Sequence, residues 1–239
     1  MTDRSYHNPE AIQAFITLAL QEDVGDGDVT TLSSFNNDAI GVANCYVKEN
    51  CTLAGVSLAI EICTCVDPSL QIHFTHHDGD VIEQTPVCIG QITGTLSSIL
   101  KAERILLNSM QRMSGIATQT NKITKMMEGT KCRLLDTRKT TPGFRFFEKL
   151  AVKIGGGVNH RFGLYDMILV KDNHVDYAGG VHNALHQIKN YLEKNERHLK
   201  IEVEARSMKE VEEILQEGIA FRILLDNFKP EQLKEAVAF

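Results

Sequence analysis

Apolar positions recur at helical spacing near the start of the chain. Ile12, Phe15, Ile16 and Ala19 share one face. Asn8 can cap the helix, Pro9 suits the first helical position, and Glu10 favours the positive helix end. A helix is therefore expected to start here and to end before Gly25. The polar stretch Glu22 to Asp28 reads as a capped turn, because it lacks the spacing of a calcium-binding loop. Between residues 39 and 94 the period changes to two. Leu70, Ile72 and Phe74 alternate with Gln71, His73 and Thr75, a turn follows at 77–80, and Val87, Ile89 and Ile92 mark another strand before Gly94. A short helix is expected near 55–65. From 97 to 128 helical spacing returns, with Leu100, Glu103, Leu107, Met110 and Met113 as the expected core-facing stripe and Gly115 as a break or kink.

Beyond residue 131 four short apolar runs look like buried parallel strands: Leu134-Leu135, Met167 to Val170, Ile201 to Val203 and Ile223 to Leu225. Helical stretches are expected between and after them, at about 145–154, 180–194, 207–217 and 229–238. This βα repetition predicts an α/β fold with a parallel barrel or open sheet. Such sheets carry chemistry at the C-terminal ends of their strands. Those ends hold Asp136-Thr-Arg-Lys139, Lys171-Asp-Asn-His174, Glu204 and Asp226-Asn227, and four charged ends favour a site over surface decoration.

Composition narrows the classes. With 239 residues, 43% hydrophobic and 23% charged, the chain is ordinary globular material. Its formal net charge of −6 argues against a general nucleic-acid binder. No run approaches a membrane span, and Met1 to Glu10 shows no secretory pattern. The six cysteines, at 45, 51, 63, 65, 88 and 132, contain no Cys-x-x-Cys pair. They are expected to be buried small apolar residues in a reducing cytoplasm.

The local charge runs against the net charge. Residues 131–174 hold nine Lys or Arg against four Asp or Glu, a balance of +5. Lys149 and Lys153 are expected to form a solvated helix face. Arg138, Lys139, Arg161 and Lys171 are assigned to a polyanion site. Glu204 and Asp226 then suit a Mg²⁺ that itself carries phosphates, since this ion takes one or two carboxylates plus substrate oxygens and water. The run Gly155-Gly-Gly157 fits no phosphate-loop fingerprint and is expected only to end a helix and permit a close turn.

Several blocks carry a more specific resemblance. Leu135-Asp-Thr-Arg-Lys-Thr-Thr-Pro-Gly143, Ala151-Val-Lys-Ile-Gly-Gly-Gly-Val-Asn-His-Arg161 and Ile168-Leu-Val-Lys-Asp-Asn-His174 resemble signature blocks of the quinolinate phosphoribosyltransferases, the decarboxylating nicotinate-nucleotide pyrophosphorylases. So do Glu22 to Thr30, Ala102-Glu-Arg104 with Asn108, Ser114 to Thr118, Glu202-Val-Glu204 and Leu224 to Phe228. The resemblance implies an N-terminal α/β sandwich domain with a dimerisation helix, residues 1–115, and an α/β barrel catalytic domain, residues 116–239. The barrel is expected to be open and, over these 239 residues, incomplete relative to the family.

The resemblance further implies Mg²⁺-dependent conversion of quinolinate and phosphoribosyl pyrophosphate to nicotinate mononucleotide, pyrophosphate and CO₂ in NAD biosynthesis. Arg138, Lys139, His160, Arg161 and Lys171 would surround the quinolinate carboxylates, with Thr137 as a polar contact. Arg104 would reach the neighbouring site of a homodimer or assembly of dimers. Lys139, Lys171, Glu204 and Asp226 would serve the phosphoribosyl side, the last two with the metal. Two alternatives are a paralogue using another acid and a quinolinate-binding chain with impaired catalysis. The family's further βα units, with a Ser-Gly-Gly turn and a Gly-Ala loop for the 5′-phosphate, do not occur in these 239 residues. Weak or absent turnover is expected from this stretch alone.

Overall fold

Helix α1 (Pro9–Val24) begins where Asn8 accepts the Ala11 N–H on its side chain, and it stops at Gly25. The structure, a computed structural model, describes residues 8–34 and 38–239. The acidic turn after α1 is a capped turn, as expected: Asp28 accepts the N–H groups of Thr30 and Thr31, both at 3.1 Å, and starts the unforeseen short helix α2 (Val29–Ser34).

The β-rich stretch folds as the period-two pattern predicts. It contains β1 (Ile40–Val47), β2 (Cys51–Thr52), α3 (Val56–Val66), β3 (Gln71–Phe74), β4 (Val81–Ile82) and β5 (Val87–Thr95). An antiparallel sheet has the order β1-β5-β3, and β2 pairs with β4. The 31-residue α4 (Leu96–Met126) follows directly. Its expected core stripe holds in its second half, where Met110 and Met113 are buried and Leu107 packs against the core, but not in its first, where Ile99, Ala102 and Leu106 are buried while Leu100 is 41% exposed and Glu103 is also exposed. Polar Glu103 and apolar Leu100 sit one position off the true seam. Gly115 does not interrupt the helix, and a Cβ there would meet open space.

Helix α5 (Arg145–Ile154) packs on α4. Phe147 stacks within 4.7–5.1 Å of Phe15, Phe144 and Phe146, so one aromatic cluster joins α1 to α5. Gly155 ends α5, and a Cβ on it would lie 2.4 Å from the Ala117 carbonyl oxygen. The glycine is what permits the α4–α5 approach.

Three of the four expected parallel strands form: β6 (Ile168–Val170), β7 (Ile201–Ala205) and β8 (Arg222–Leu225), in the order β6-β7-β8. Leu134-Leu135 is not a strand. Leu135 makes only an isolated parallel bridge to Val158, closed by the Val158 N–H to the Leu134 carbonyl at 2.8 Å and the Asp136 N–H to the Val158 carbonyl at 3.2 Å. The intervening helices are α6 (Asp172–Ala178), α7 (Val181–Lys194), α8 (Met208–Glu217) and α9 (Pro230–Ala238). All but α6 match the expected ranges within a residue.

The chain divides into two compact units, residues 1–160 and 161–239. Each has a hydrophobic core. The first centres on residues such as Ile16, Ile62, Ile89, Met113 and Phe147. The second centres on Val170, Leu185, Val203 and Ile214. Among the described residues no helix is long and apolar enough to cross a membrane.

The cysteines are less buried than expected. Only Cys63 is in the core, where burial pushes its thiol up to about 11. Cys45, Cys51 and Cys65 are half-buried, and Cys88 and Cys132 are exposed, since they fall at a strand edge and in the loop after α4. All six are free thiols.

Candidate active site

In the first unit two buried carboxylates hold the segment from Asp136 to Pro142. Asp136 pairs with Lys149 of α5. It also accepts the Asn159 side-chain amide at 2.5 Å and the His160 N–H at 2.8 Å. The Lys149 ammonium donates to the His160 carbonyl at 3.2 Å. Lys149 is 1% exposed, which overturns its expected place on a solvated face. Its partner Asp136, met across the bridge between Leu135 and Val158, draws it inward, while Lys153 does remain exposed.

The other end of the segment rests on Glu148. This buried carboxylate accepts the Thr141 N–H at 3.1 Å, the Thr141 hydroxyl at 2.8 Å and the Arg112 guanidinium at 2.7 and 2.9 Å. Burial alone raises the Glu148 pKa, but the Arg112 and Thr141 hydrogen bonds outweigh it and leave a net lowering. Between these anchors Thr137 accepts the Lys139 N–H at 3.0 Å, and Thr140 accepts from Arg145 at 3.0 Å. Thr137 and Lys139 are exposed, and Arg138 is half-buried. The Arg138 Nε is buried and has no hydrogen-bond partner among the described residues. His160, half-buried, neighbours this loop through its N–H to Asp136.

Arg104 lies elsewhere in the same unit. It is exposed on α4 and lines a cavity of about 820 Å³ with Phe15, Asp23, Asn108, Arg112 and Thr141.

In the second unit the strand register sorts side chains by face. Val170, Val203 and Ile223 are paired neighbours, and they point with Ile201, Ala205 and Leu225 into the core under the helices. The alternate residues take the other face, because successive side chains of a strand point oppositely. That face carries Leu169, Glu202 and Arg222 in one row and Glu204 beside Leu224 in the next. Lys171 continues β6 with extended backbone, and the Asp226 N–H continues the ladder to the Ala205 carbonyl at 3.0 Å. Lys171, Glu204 and Asp226 are thus brought to one face at the C-terminal end of the sheet. Lys171 is exposed, and the two acids are half-buried. Asn227, in left-handed backbone at φ 56°, donates to Asp226 at 2.8 Å.

Arg161 is 6% exposed and donates to the Met167 carbonyl at 3.3 Å. Lys171 immediately precedes α6, and the His174 ring accepts its N–H at 2.9 Å. Among the described residues no three His, Cys, Asp or Glu side chains are arranged to hold a metal. Glu204 and Asp226 offer two carboxylates, within the one or two that a phosphate-bridged Mg²⁺ takes.

Residues 28–114 match the family model of the quinolinate phosphoribosyl transferase N-terminal domain, and residues 116–239 match that of the C-terminal domain. The chain belongs to the quinolinate phosphoribosyl transferase family. It is 43% identical over 227 residues to tobacco (Nicotiana tabacum) quinolinate phosphoribosyltransferase (decarboxylating) 1b, covering 92% of this chain and 64% of that protein. The probable nicotinate-nucleotide pyrophosphorylase (carboxylating) of Bacillus subtilis is 36% identical, covering 89% and 72% of the two chains. The nicotinate-nucleotide pyrophosphorylase structure from Francisella tularensis has a TM-score of 0.89 and 36% identity, covering all of this chain and 82% of that one. NadC from Streptococcus pyogenes gives a TM-score of 0.90 at 34% identity, covering 100% and 81%. The chain spans 64% of the length of the tobacco protein.

Within this transferase family member, sequence reasoning overlooked the supports of the site. Lys149 and Glu148 read as ordinary helix charges, and Asp136 read as part of a charged strand end. One usable signal was Phe146-Phe-Glu-Lys-Leu-Ala151, where two charges interrupt an apolar stretch. A second was the alternation in Ile201-Glu-Val-Glu-Ala205, which places Glu202, 2% exposed and 2.9 Å from Arg222, on the same face as Glu204.

Proposed function

We propose that the chain carries the quinolinate-binding and transfer residues of a Mg²⁺-dependent phosphoribosyltransferase that makes nicotinate mononucleotide, pyrophosphate and CO₂. The supporting observation is Arg138. Its buried Nε lacks an acceptor, on a loop pinned at both ends by Asp136 and Glu148. A buried donor without a partner is costly, and a planar dicarboxylate meets a guanidinium fork well. Lys139, His160 and Thr137 share that loop or the segment bound to it, and they supply the further cationic and polar contacts of a diacid. Arg161 and Lys171 add positive charge for the anionic substrates.

The chemistry asks little covalent work of the protein. The pyridine nitrogen attacks the anomeric carbon of the ribose as the bond to pyrophosphate breaks. Positive charge develops on that carbon, which Glu204 and Asp226 stabilise directly or through the ribose hydroxyls, while Lys139 and Lys171 offset the leaving group's charge. Mg²⁺, when bound, neutralises pyrophosphate oxygens as they depart. Glu204 and Asp226 are the residues that would hold it. The alkylated ring is cationic, so its positive nitrogen stabilises the electron pair left on the adjacent ring carbon when the carboxylate leaves as CO₂, and a proton from water then takes that position to give nicotinate mononucleotide. Arg138 and its neighbours hold that carboxylate in place, and orientation of this kind is worth several kcal/mol of barrier.

We take residues 1–115 and 116–239 as the functional domains, on the ranges matched by the two family models. A homodimer in which Arg104 serves the neighbouring copy fits its exposed place on a large cavity. The six free thiols fit a reducing compartment such as the cytoplasm.

Calorimetry of quinolinate binding tests the reading. The chain is expected to bind quinolinate, and Arg138→Ala is expected to lose that binding while keeping the far-ultraviolet circular dichroism and thermal midpoint of the parent. Unchanged affinity in the variant removes Arg138 from the site. In a product assay with phosphoribosyl pyrophosphate, nicotinate consumed in place of quinolinate would instead support a paralogue with another acid.

A further inference from the structure

The buried pair of Asp136 and Lys149 lies outside every role assigned above, yet it meets both segments that carry the diacid contacts. Asp136 sits two residues before Arg138. One of its oxygens takes Lys149 and the His160 N–H, and the other takes the Asn159 amide. Lys149 is almost wholly buried, and the Asp136 side chain is 7% exposed. The Lys149 ammonium also meets the His160 carbonyl. The Asn159 amide completes the circuit by donating to the Lys149 carbonyl at 2.7 Å. Four groups thus close a ring of hydrogen bonds among the strand-like segment at 135, helix α5 and the segment at 158–160.

A ring of this kind is more than cohesion requires. Two ions removed from water rarely stabilise a fold more than apolar residues of the same volume do, although removing only one partner leaves an unpaired buried charge. What the ring supplies is direction. The single-residue bridge between Leu135 and Val158 is too short to fix the register of the two segments by itself. Asp136 fixes it by binding the His160 N–H and the Asn159 amide of the facing segment and Lys149 of α5, at the point from which the loop to Arg138 departs.

We infer that Asp136 and Lys149 are positioning residues, which set Arg138 and Lys139 against His160 before the diacid arrives. The inference rests on the proposed function for its effect on quinolinate, but its structural core does not. The pair reaches the reaction only through its neighbours. It acts on the affinity for the diacid through Arg138 and His160, and it reaches the phosphoribosyl side only through Lys139.

The test uses three versions of the full chain: the parent, Asp136→Asn and the double variant Asp136→Asn with Lys149→Met. The single variant strands the Lys149 charge and is expected to lose stability. The double variant removes both charges and is expected to keep the parent's thermal midpoint. Its dissociation constant for quinolinate is nevertheless expected to rise by about tenfold or more, as small misplacements of binding groups do. Its hydrogen exchange is expected to accelerate at residues 136–142 and 158–160 and nowhere else. A purely cohesive pair predicts the opposite: the double variant regains stability, affinity and slow exchange together. Parental exchange in those segments of the folded double variant overturns the inference. If the parent itself fails to bind quinolinate, the proposed function falls, and the exchange measurement still decides the positioning role.

Discussion

At the scale of single residues, the first unit is organised by buried or half-buried carboxylates that each collect several donors. Asp67 is the clearest case for pH. The Ser69 hydroxyl, the Ser69 N–H and the Ser98 hydroxyl bind it and hold its pKa down to about 2 from the ordinary 3.8. A depressed carboxylate contributes stability that is fully present above its unfolded pKa and is lost as pH falls through the folded one. The thermal midpoint is therefore expected to drop as pH goes from 3.8 toward 2, and Asp67→Asn is expected to flatten that part of the curve. An identical slope in the variant would assign the acid sensitivity to other groups. These collecting residues were the least legible part of the sequence. An acid that binds three donors looks the same, in one dimension, as an acid that faces water. Lys149 shows the cost of that ambiguity: its spacing to Lys153 fits a solvated face, and only the distant Asp136 makes it a core residue.

At the scale of elements, legibility was high wherever a cap or a period marked the chain. The Asn8-Pro9-Glu10 start, the alternation at Leu70 to Phe74 and the helices at 145–154 and 230–238 all carry local signals. Helix α6 carried none, since it begins directly at the end of β6 with Asp172-Asn-His174 and relies on the His174 ring to take the Lys171 N–H. The seam of α4 was misread for a different reason. The helix's buried positions form one stripe through Ile99, Ala102, Leu106, Met110, Met113, Ala117 and Thr120, and the expected stripe joins it only from Met110 onward, since Leu100 and Glu103 lie one residue off its start. One glycine sets its closest approach. Gly155→Ala would press a methyl against the Ala117 carbonyl oxygen at 2.4 Å and the Thr120 Cβ at 2.7 Å. Backbone on one side leaves little room to yield, so the variant is expected to lose about 1–3 kcal/mol in urea unfolding. A loss under a few tenths would mean that α4 and α5 slide apart freely.

At the scale of the molecule, the two units have separate hydrophobic cores, at Ile16 to Ala151 and at Val170 to Ile214. Leu185→Ala, at a position with no exposed surface, is expected to cost about 2–5 kcal/mol. Hydrogen exchange is then expected to quicken within residues 161–239 while the amides of α3 and α4 keep their parental rates, because stability is partitioned among cooperative units. Uniform acceleration along the chain would show one cooperative block. The family was legible at this scale because long blocks such as Leu135 to Gly143 resemble it directly. The roles of Arg138, Arg161, Lys171, Glu204 and Asp226 came with those blocks, while the buttresses beneath them lie between the blocks' most conspicuous charges.

The division of labour in β7 has a consequence for how such a protein can change. Ile201, Val203 and Ala205 bind the sheet to its helices, and Glu202 and Glu204 face away from that core. Cohesion and reactivity are therefore written on alternate letters of one short word. A substitution at half-buried Glu204 can redraw what the sheet recognises without loosening what it rests on, whereas Glu202 is tied to Arg222 and a shift of register by one residue would destroy both faces at once. A strand built this way tolerates drift in specificity far better than it tolerates an insertion.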